Sequence, residues 1–267
     1  MDFPRNGLQN HPLFFGEKEA PEREILSAIA AGVQTIGFSR VAATSFSLPS
    51  GTQADASASF RNEIVALSEK YRAKITVLLG EARDFYADPV FMPCDYRIGF
   101  VHSVVADDGA ICPLDECAER IRADVNAHFG GNIGQLIRRY FETVALLVQK
   151  TRCNYVADFD FLQTFNQEKR LFDPTLPEYR FAVLDAMEAL VREDIAFGIE
   201  LREDGSFSPS PDIVRWFAAH GARFSLLSGL SKADLSECIR YAKSCGAGGF
   251  SYFVQGSWKT VLPGGKP

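Results

Sequence analysis

Apolar positions along this chain switch repeatedly between two periods. Short β-branched runs, read as strands, alternate with stretches whose apolar residues recur every three or four positions, read as helices. Such alternation is the pattern of a parallel sheet built from βα units. After a first strand at Leu8 to His11, a helix opens at Pro21, where the missing N–H costs nothing and Glu22 and Glu24 suit the positive end of the dipole. Gly32 ends that helix, and Val33 to Ser39 forms the second strand. Phe60, Ile64, Leu67 and Tyr71 mark one face of the next helix, Phe60 to Tyr71, and Ile75 to Leu79 is the third strand. The Ser/Ala-rich stretch between them, Ser45 to Ser59, is expected to be a loop over the mouth of the sheet.

The fourth strand runs from Arg97 to His102, and Phe129-Gly130-Gly131 is read as a turn. Behind it lies a long helix, Ile133 to Lys150, with Leu136, Ile137, Tyr140, Val144 and Leu147 on one broad face. Strands at Asn154 to Asp158, Ile195 to Glu200 and Arg223 to Ser228 follow, with helices at Tyr179 to Arg192 and from Ser210-Pro211 to Gly221 between them. A last helix begins at Ser231, with Asp234 as its capping-box partner, and Phe250 to Val254 is the last strand. No Gly-x-Gly-x-x-Gly follows the first strand, so the pattern predicts a closed barrel over 1–267 as one domain rather than an open dinucleotide-binding sheet.

Composition narrows the function classes. The net charge of −6 and the absence of a basic stripe exclude a general affinity for nucleic acid. No apolar run reaches bilayer length and the N-terminus has no hydrophobic centre, which predicts a cytoplasmic protein without membrane partners. Six cysteines without a Cys-x-x-Cys pair are read as small buried hydrophobes.

Several segments in order carry a resemblance: Asn10-His11-Pro12, Thr35-Ile36-Gly37-Phe38-Ser39, Leu78-Leu79-Gly80-Glu81, and Tyr96 to Val104 with His102 inside it. Ala157-Asp158-Phe159-Asp160-Phe161, trailed by Phe165-Asn166, and the strand Phe197 to Leu201 continue it. Together they resemble the histidinol phosphatases of the PHP (polymerase and histidinol phosphatase) family. The resemblance implies a distorted (β/α)7 TIM-like barrel of the PHP type, with three metal ions at the strand C-termini and a bound hydroxide that attacks a phosphate ester. Measured against that pattern, the opening His-x-His retains only His11, the Asp-His pair aligns with Arg40-Val41, and the bridging glutamate falls on Ala82 with Glu81 one residue away. His102 stands where a ligand is expected, Asp158 replaces a histidine, and the closing Ser-Asp-Ala-His reads Ser228-Gly229-Leu230-Ser231.

Three closely spaced cations need a dense shell of imidazoles and carboxylates, and four histidines do not furnish one. The expectation is therefore a barrel without a trinuclear site and with no cofactor. His11, His102 and Asp158 are its candidate reactive groups. Arg40, Arg83 and Arg202 are expected at strand C-termini, neutralising leftover carboxylates such as Glu81, Asp158, Asp160 and Glu200. With Glu200 and with Ser231 and Lys232 at a helix N-terminus, they would bind a small anionic metabolite, phosphorylated or carboxylate. The competing expectation is an active phosphomonoesterase with one or two zinc or manganese ions on His11, Glu81, His102 and Asp158, Arg40 holding the phosphate. Metal-free acid/base chemistry by His102 and a neighbouring carboxylate is a third. His128 and His220 fall at no ligand position.

Overall fold

The computed structural model of the chain describes residues 13–16, 20–44, 51–166, 171–202, 204–227 and 232–262, and for 13–15, 51–56 and 232–234 the backbone only. The strand predicted at Leu8 to His11 and the cap at Ser231 lie outside the described residues. Strand β1 is Leu13–Phe15, followed by α1 (Pro21–Ala30), β2 (Thr35–Val41), α2 (Gly51–Tyr71), β3 (Thr76–Asp84) and β4 (Tyr96–Phe100). A hairpin of β5 (Ser103–Val105) and β6 (Ile111–Pro113) leads into α3 (Ala118–His128), α4 (Ile133–Ala145) and α5 (Leu147–Thr151). The second half comprises β7 (Tyr155–Val156), α6 (Pro177–Leu190), β8 (Ala196–Leu201), β9 (Phe207–Ser208), α7 (Pro211–Ala219), β10 (Arg223–Leu226), α8 (Lys232–Ser244) and the hairpin β11 (Phe250–Val254) with β12 (Ser257–Val261).

Strands β1-β2-β3-β4-β7-β8-β10 form one parallel sheet in that order, with β9 antiparallel on β8. The sheet curls as a distorted TIM-like barrel, as the βα alternation predicts. The last predicted strand exists but pairs with β12 rather than joining the sheet. Tyr155 ties that hairpin to the barrel: its hydroxyl accepts from the Phe253 N–H at 2.6 Å, and its ring meets Trp258 edge-on.

Which residues face the barrel interior follows from the helices. Ile36 and Phe38 of β2 and Val77 and Leu79 of β3 pack with Ile25 and Ala28 of α1 and Phe60, Ile64 and Leu67 of α2. Alternation then turns Leu78, Gly80, Ala82 and Asp84 inward. A Cβ on Gly80 would lie 2.3 Å from the Tyr96 ring, and Tyr96 meets Tyr155 edge-on at 5.9 Å. The barrel interior is a packed core of aromatic and aliphatic side chains.

Three expectations need correcting. The Ser/Ala-rich stretch is helical from Gly51, continuous with the helix read from Phe60; Gln53 and the alanines at 54, 56 and 58 favour a helix, whereas its serines, threonine and glycine do not. Helix α4 stops at Ala145, and a separate turn, α5, closes with Arg152 in the left-handed conformation (φ 53°). The Ser210 side chain does not cap α7; its backbone N–H is bonded to Asp160 instead. All six cysteines are free thiols, four of them buried, as expected of hydrophobic fillers.

Candidate functional site at the barrel mouth

His102 follows β4 by two residues. Val101 before it is buried, and the His102 N–H donates to Asp84 Oδ2 at 2.9 Å, so the backbone is held from the inward row of β3. The imidazole lies between Phe100 (ring centroids 4.5 Å apart) and Phe161 (4.0 Å, stacked). Its Nε2 hydrogen-bonds Asp158 Oδ2 at 2.9 Å. Asp158 follows β7 by two residues with φ 52°, a left-handed conformation that aspartate tolerates better than most residues. Tyr140, buried on α4, fixes that bend by donating to the Asp158 carbonyl at 2.9 Å and accepting from the Phe161 N–H at 3.1 Å. Both side chains of the His102–Asp158 pair keep some solvent contact, 28% and 18%.

Asp160, fully buried, accepts from Arg202 Nη2 at 3.3 Å, Ser208 Oγ at 3.0 Å and the Ser210 N–H at 2.8 Å. One carboxylate thus joins the β7, β8 and β9 segments and neutralises Arg202. Glu200 stands beside this pair on β8. Phe197 stacks on Phe217 of α7 and so faces outward, which turns Gly198 and Glu200 inward. The space a Gly198 side chain would fill is taken by Leu227 and by Glu200 Oε1. Burial first, and then repulsion from Asp158, push the Glu200 carboxyl up to about 8, against the opposing pull of Arg202. Burial likewise raises Asp84, although two backbone N–H groups, of His102 and Tyr86, bond its carboxylate.

Of the residues singled out from sequence, His102, Asp158, Glu200 and Arg202 come together here, with Asp160 beneath them. Glu81 and Arg83 do not. Both share the outward row of Val77 and Leu79, because the crossover from β3 to β4 is too short for a helix and folds the 85–95 segment over that face instead. Glu81 Oε1 accepts from Arg83 Nη1 at 2.8 Å and from the Met92 N–H at 3.2 Å, and Oε2 accepts from Arg97 Nε at 3.0 Å. Arg83 also donates to the Asp88 and Val90 carbonyls, and the Phe91 ring stacks against Arg83, Arg97 and Arg152. Arg40 shares the outward row of Ile36 and Phe38 and lies in register beside Glu81. The expected arginine–carboxylate pairing therefore exists twice, once inside the mouth and once behind the sheet.

His11 and Ser231 lie outside the described residues, as does the side chain of Lys232, whose backbone opens α8. His128 pairs with Asp108 on the surface, and His220 ends α7 stacked on Trp216. Sequence reasoning missed Asp84, Tyr140, Ser208 and Phe161 as supports; the Phe-Asp-Phe run at 159–161 was the nearest signal, since an aspartate between two aromatics argues a buried, bonded carboxylate.

Among the described residues no group of three or more His, Cys, Asp or Glu side chains is placed to hold a metal ion. At the mouth His102 Nε2 and Asp158 Oδ2 are bonded to each other, and Glu81 faces away from it. The described residues do not fit a three-ion site.

No family model matches the chain, and no curated protein matches it in sequence. Its structure is similar to that of a histidinol phosphate phosphatase from Lactococcus lactis subsp. lactis Il1403, solved with zinc, L-histidinol and phosphate: 17% identity, TM-score 0.64, over 94% of this chain and 99% of that one. It is also similar to a putative histidinol phosphatase from Listeria monocytogenes, with 14% identity and a TM-score of 0.58 over 82% of this chain and 93% of that one. The mouth described above is thus set in the distorted barrel fold that this chain has in common with histidinol phosphatases.

Proposed function

We propose that this chain is a small-molecule-binding barrel of histidinol-phosphatase type that has given up trinuclear metal catalysis. The observation that carries the reading is the 2.9 Å bond between His102 Nε2 and Asp158 Oδ2, which closes on itself the pair of donors a metal would need. Arg202 supports it, since a guanidinium paired with Asp160 supplies locally the positive charge that ions supply elsewhere. The ligand is a small polar metabolite at the strand C-termini, the face on which barrel sites are built. An anionic ligand, as the arginines suggested from sequence, draws on Arg202 and on Lys232 at the start of α8; Arg83 is committed to Glu81 behind the sheet. Metal analysis of protein purified without chelator tests this reading. Fewer than one tightly bound transition metal per chain is expected, and two or more would overturn it.

The second reading, a phosphomonoesterase with one or two ions, is favoured by one observation: the similar Lactococcus lactis enzyme was solved with zinc, L-histidinol and phosphate. It would rest on His11, His102 and Asp158, with Glu81 facing away from the site. Hydrolysis of histidinol phosphate or of a small phosphomonoester panel with added zinc or manganese would establish it, and complete inactivity would remove it.

A further inference from the structure

Away from the mouth, the helix pair α4 and α6 carries an aromatic side chain that the core does not use. Of the phenylalanines, tyrosines and tryptophans among the described residues, Phe181 alone is exposed, at 67%. The inward face of α6 is already filled by Tyr179, Val183, Ala186 and Met187. Phe181 stands on the rim of a groove of about 410 Å³ between the two helices, lined by Phe141 and Ala145 of α4 and by Ala182 and Ala186 of α6. A large ring left in water beside an open apolar groove marks a contact surface.

The charges along the groove say what covers it. They are Arg138 on α4 against Glu142, Glu178 and Asp185. Glu142 pairs with Arg139 at 3.7 Å, and Glu178 lies in the first turn of α6, where the helix dipole favours an acid. Arg138 and Asp185 remain, and neither has an ion-pair partner among the described residues. The two helices run in the same direction, because a Cβ on Gly134 near the start of α4 would lie 3.4 Å from Glu178 near the start of α6. Measured from that level, Arg138 and Phe181 lie about one turn along and Asp185 about two. A two-fold axis crossing the helices between those levels sets Arg138 of each copy opposite Asp185 of the other and lowers each Phe181 onto Ala182 and Ala186 of the other groove. Ring, groove, cation and anion all share one face, the condition for an isologous contact. A basic segment of another protein would answer the acids, but it would press like charge on Arg138.

We infer that the α4–α6 face is where two copies of this chain meet, antiparallel, held by the two Phe181 rings and by two Arg138–Asp185 ion pairs. Helices of 13 and 14 residues are about 20 Å long and pack about 10 Å apart, so the covered patch is on the order of 400 Å² per copy. That is the low end of specific interfaces, and the dimer is a transient one with a dissociation constant on the order of tens of micromolar. The inference is independent of what the mouth binds.

Sedimentation equilibrium of the full chain from about 10 to about 500 µM tests it, and the average mass should climb from one chain toward two. Phe181→Ala should weaken association about tenfold or more, the loss expected of an aromatic at the centre of an interface. Arg138→Glu and Asp185→Arg should each weaken it too, and the two combined should restore it, because the exchanged charges meet again across the axis. All three positions are exposed, so the substitutions leave the core untouched. A chain that stays monomeric over this range overturns the inference and leaves the face to a different partner. A dimer that Phe181→Ala does not weaken, or a double charge exchange no tighter than either single variant, overturns it as well.

Discussion

Glu81→Gln separates a structural role from a role in the site. The carboxylate is 4% exposed and accepts three hydrogen bonds, from Arg83 at 2.8 Å, Arg97 at 3.0 Å and the Met92 N–H at 3.2 Å. Arg83 is 2% exposed, so its charge has no water to fall back on once the carboxylate is gone. Glutamine preserves volume and one acceptor oxygen, but it turns an amide N–H2 toward a guanidinium and leaves two cations facing each other. Removing one partner of a buried pair typically costs about 3–5 kcal/mol. Arg97, 21% exposed at its side chain, can recover some solvation, which places the expectation near the lower end, about 3 kcal/mol. Against a total stability of about 5–15 kcal/mol that is a large fraction. Urea denaturation followed by circular dichroism measures it, with an unchanged slope showing that the unfolded state is the same. The double variant Glu81→Leu with Arg83→Met removes both buried charges and should recover at least half of the loss. A loss under about 1 kcal/mol in Glu81→Gln would refute the argument, because a carboxylate so dispensable is not holding the 85–95 segment on the sheet.

Three other expectations follow from the mouth and its supports. Glu200, at about 8 in the folded chain and near 4.5 when unfolded, keeps its proton folded while the unfolded chain loses it, so this group's contribution to stability falls as pH rises from about 4.5 to 8. Glu200→Gln should therefore gain on the parent by roughly 2–3 kcal/mol between pH 5 and pH 8.5, discounted for partial exposure, and a gap that is flat with pH would count against the placement of this carboxyl. Gly80→Ala should destabilise by about 2–3 kcal/mol, since its Cβ would lie 2.3 Å from the ring of the buried Tyr96, and a thermal melt within 1 °C of the parent would contradict the packing. Asp160→Asn, by leaving Arg202 without its anion and misplacing a donor against Ser208 or the Ser210 N–H, should cost about 2–4 kcal/mol and loosen the β9 segment in hydrogen exchange; unchanged protection there would show that the carboxylate does not join these strands.

Much of this architecture was legible in the sequence, and the reason is periodicity. Strands β2, β3, β4, β8 and β10 and helices α1, α4, α6 and α7 follow from runs of period two and near four, and short loops between them leave a parallel sheet as the natural arrangement. The same reading failed elsewhere. The start of α2 at Gly51 has alanines but no apolar stripe, and α3, although Ala118, Ile121 and Val125 stand at helical spacing, was not read from the sequence, nor was the β5–β6 hairpin.

Period two also establishes, without any structure, that Glu81 and Arg83 share a side with Val77 and Leu79. Which side that is could be settled only by the packing of α1 and α2, and it decides whether Glu81 is a ligand candidate or a structural anion. His102 and Asp158, 56 residues apart, meet because β4 and β7 are neighbours in the sheet, and Glu200 joins them because β8 is next. Local sequence determines which residue types stand at the strand ends. Their mutual distances, and hence whether an imidazole and a carboxylate turn toward an ion or toward each other, are set by strand order and burial, long-range properties that no window of neighbouring residues contains.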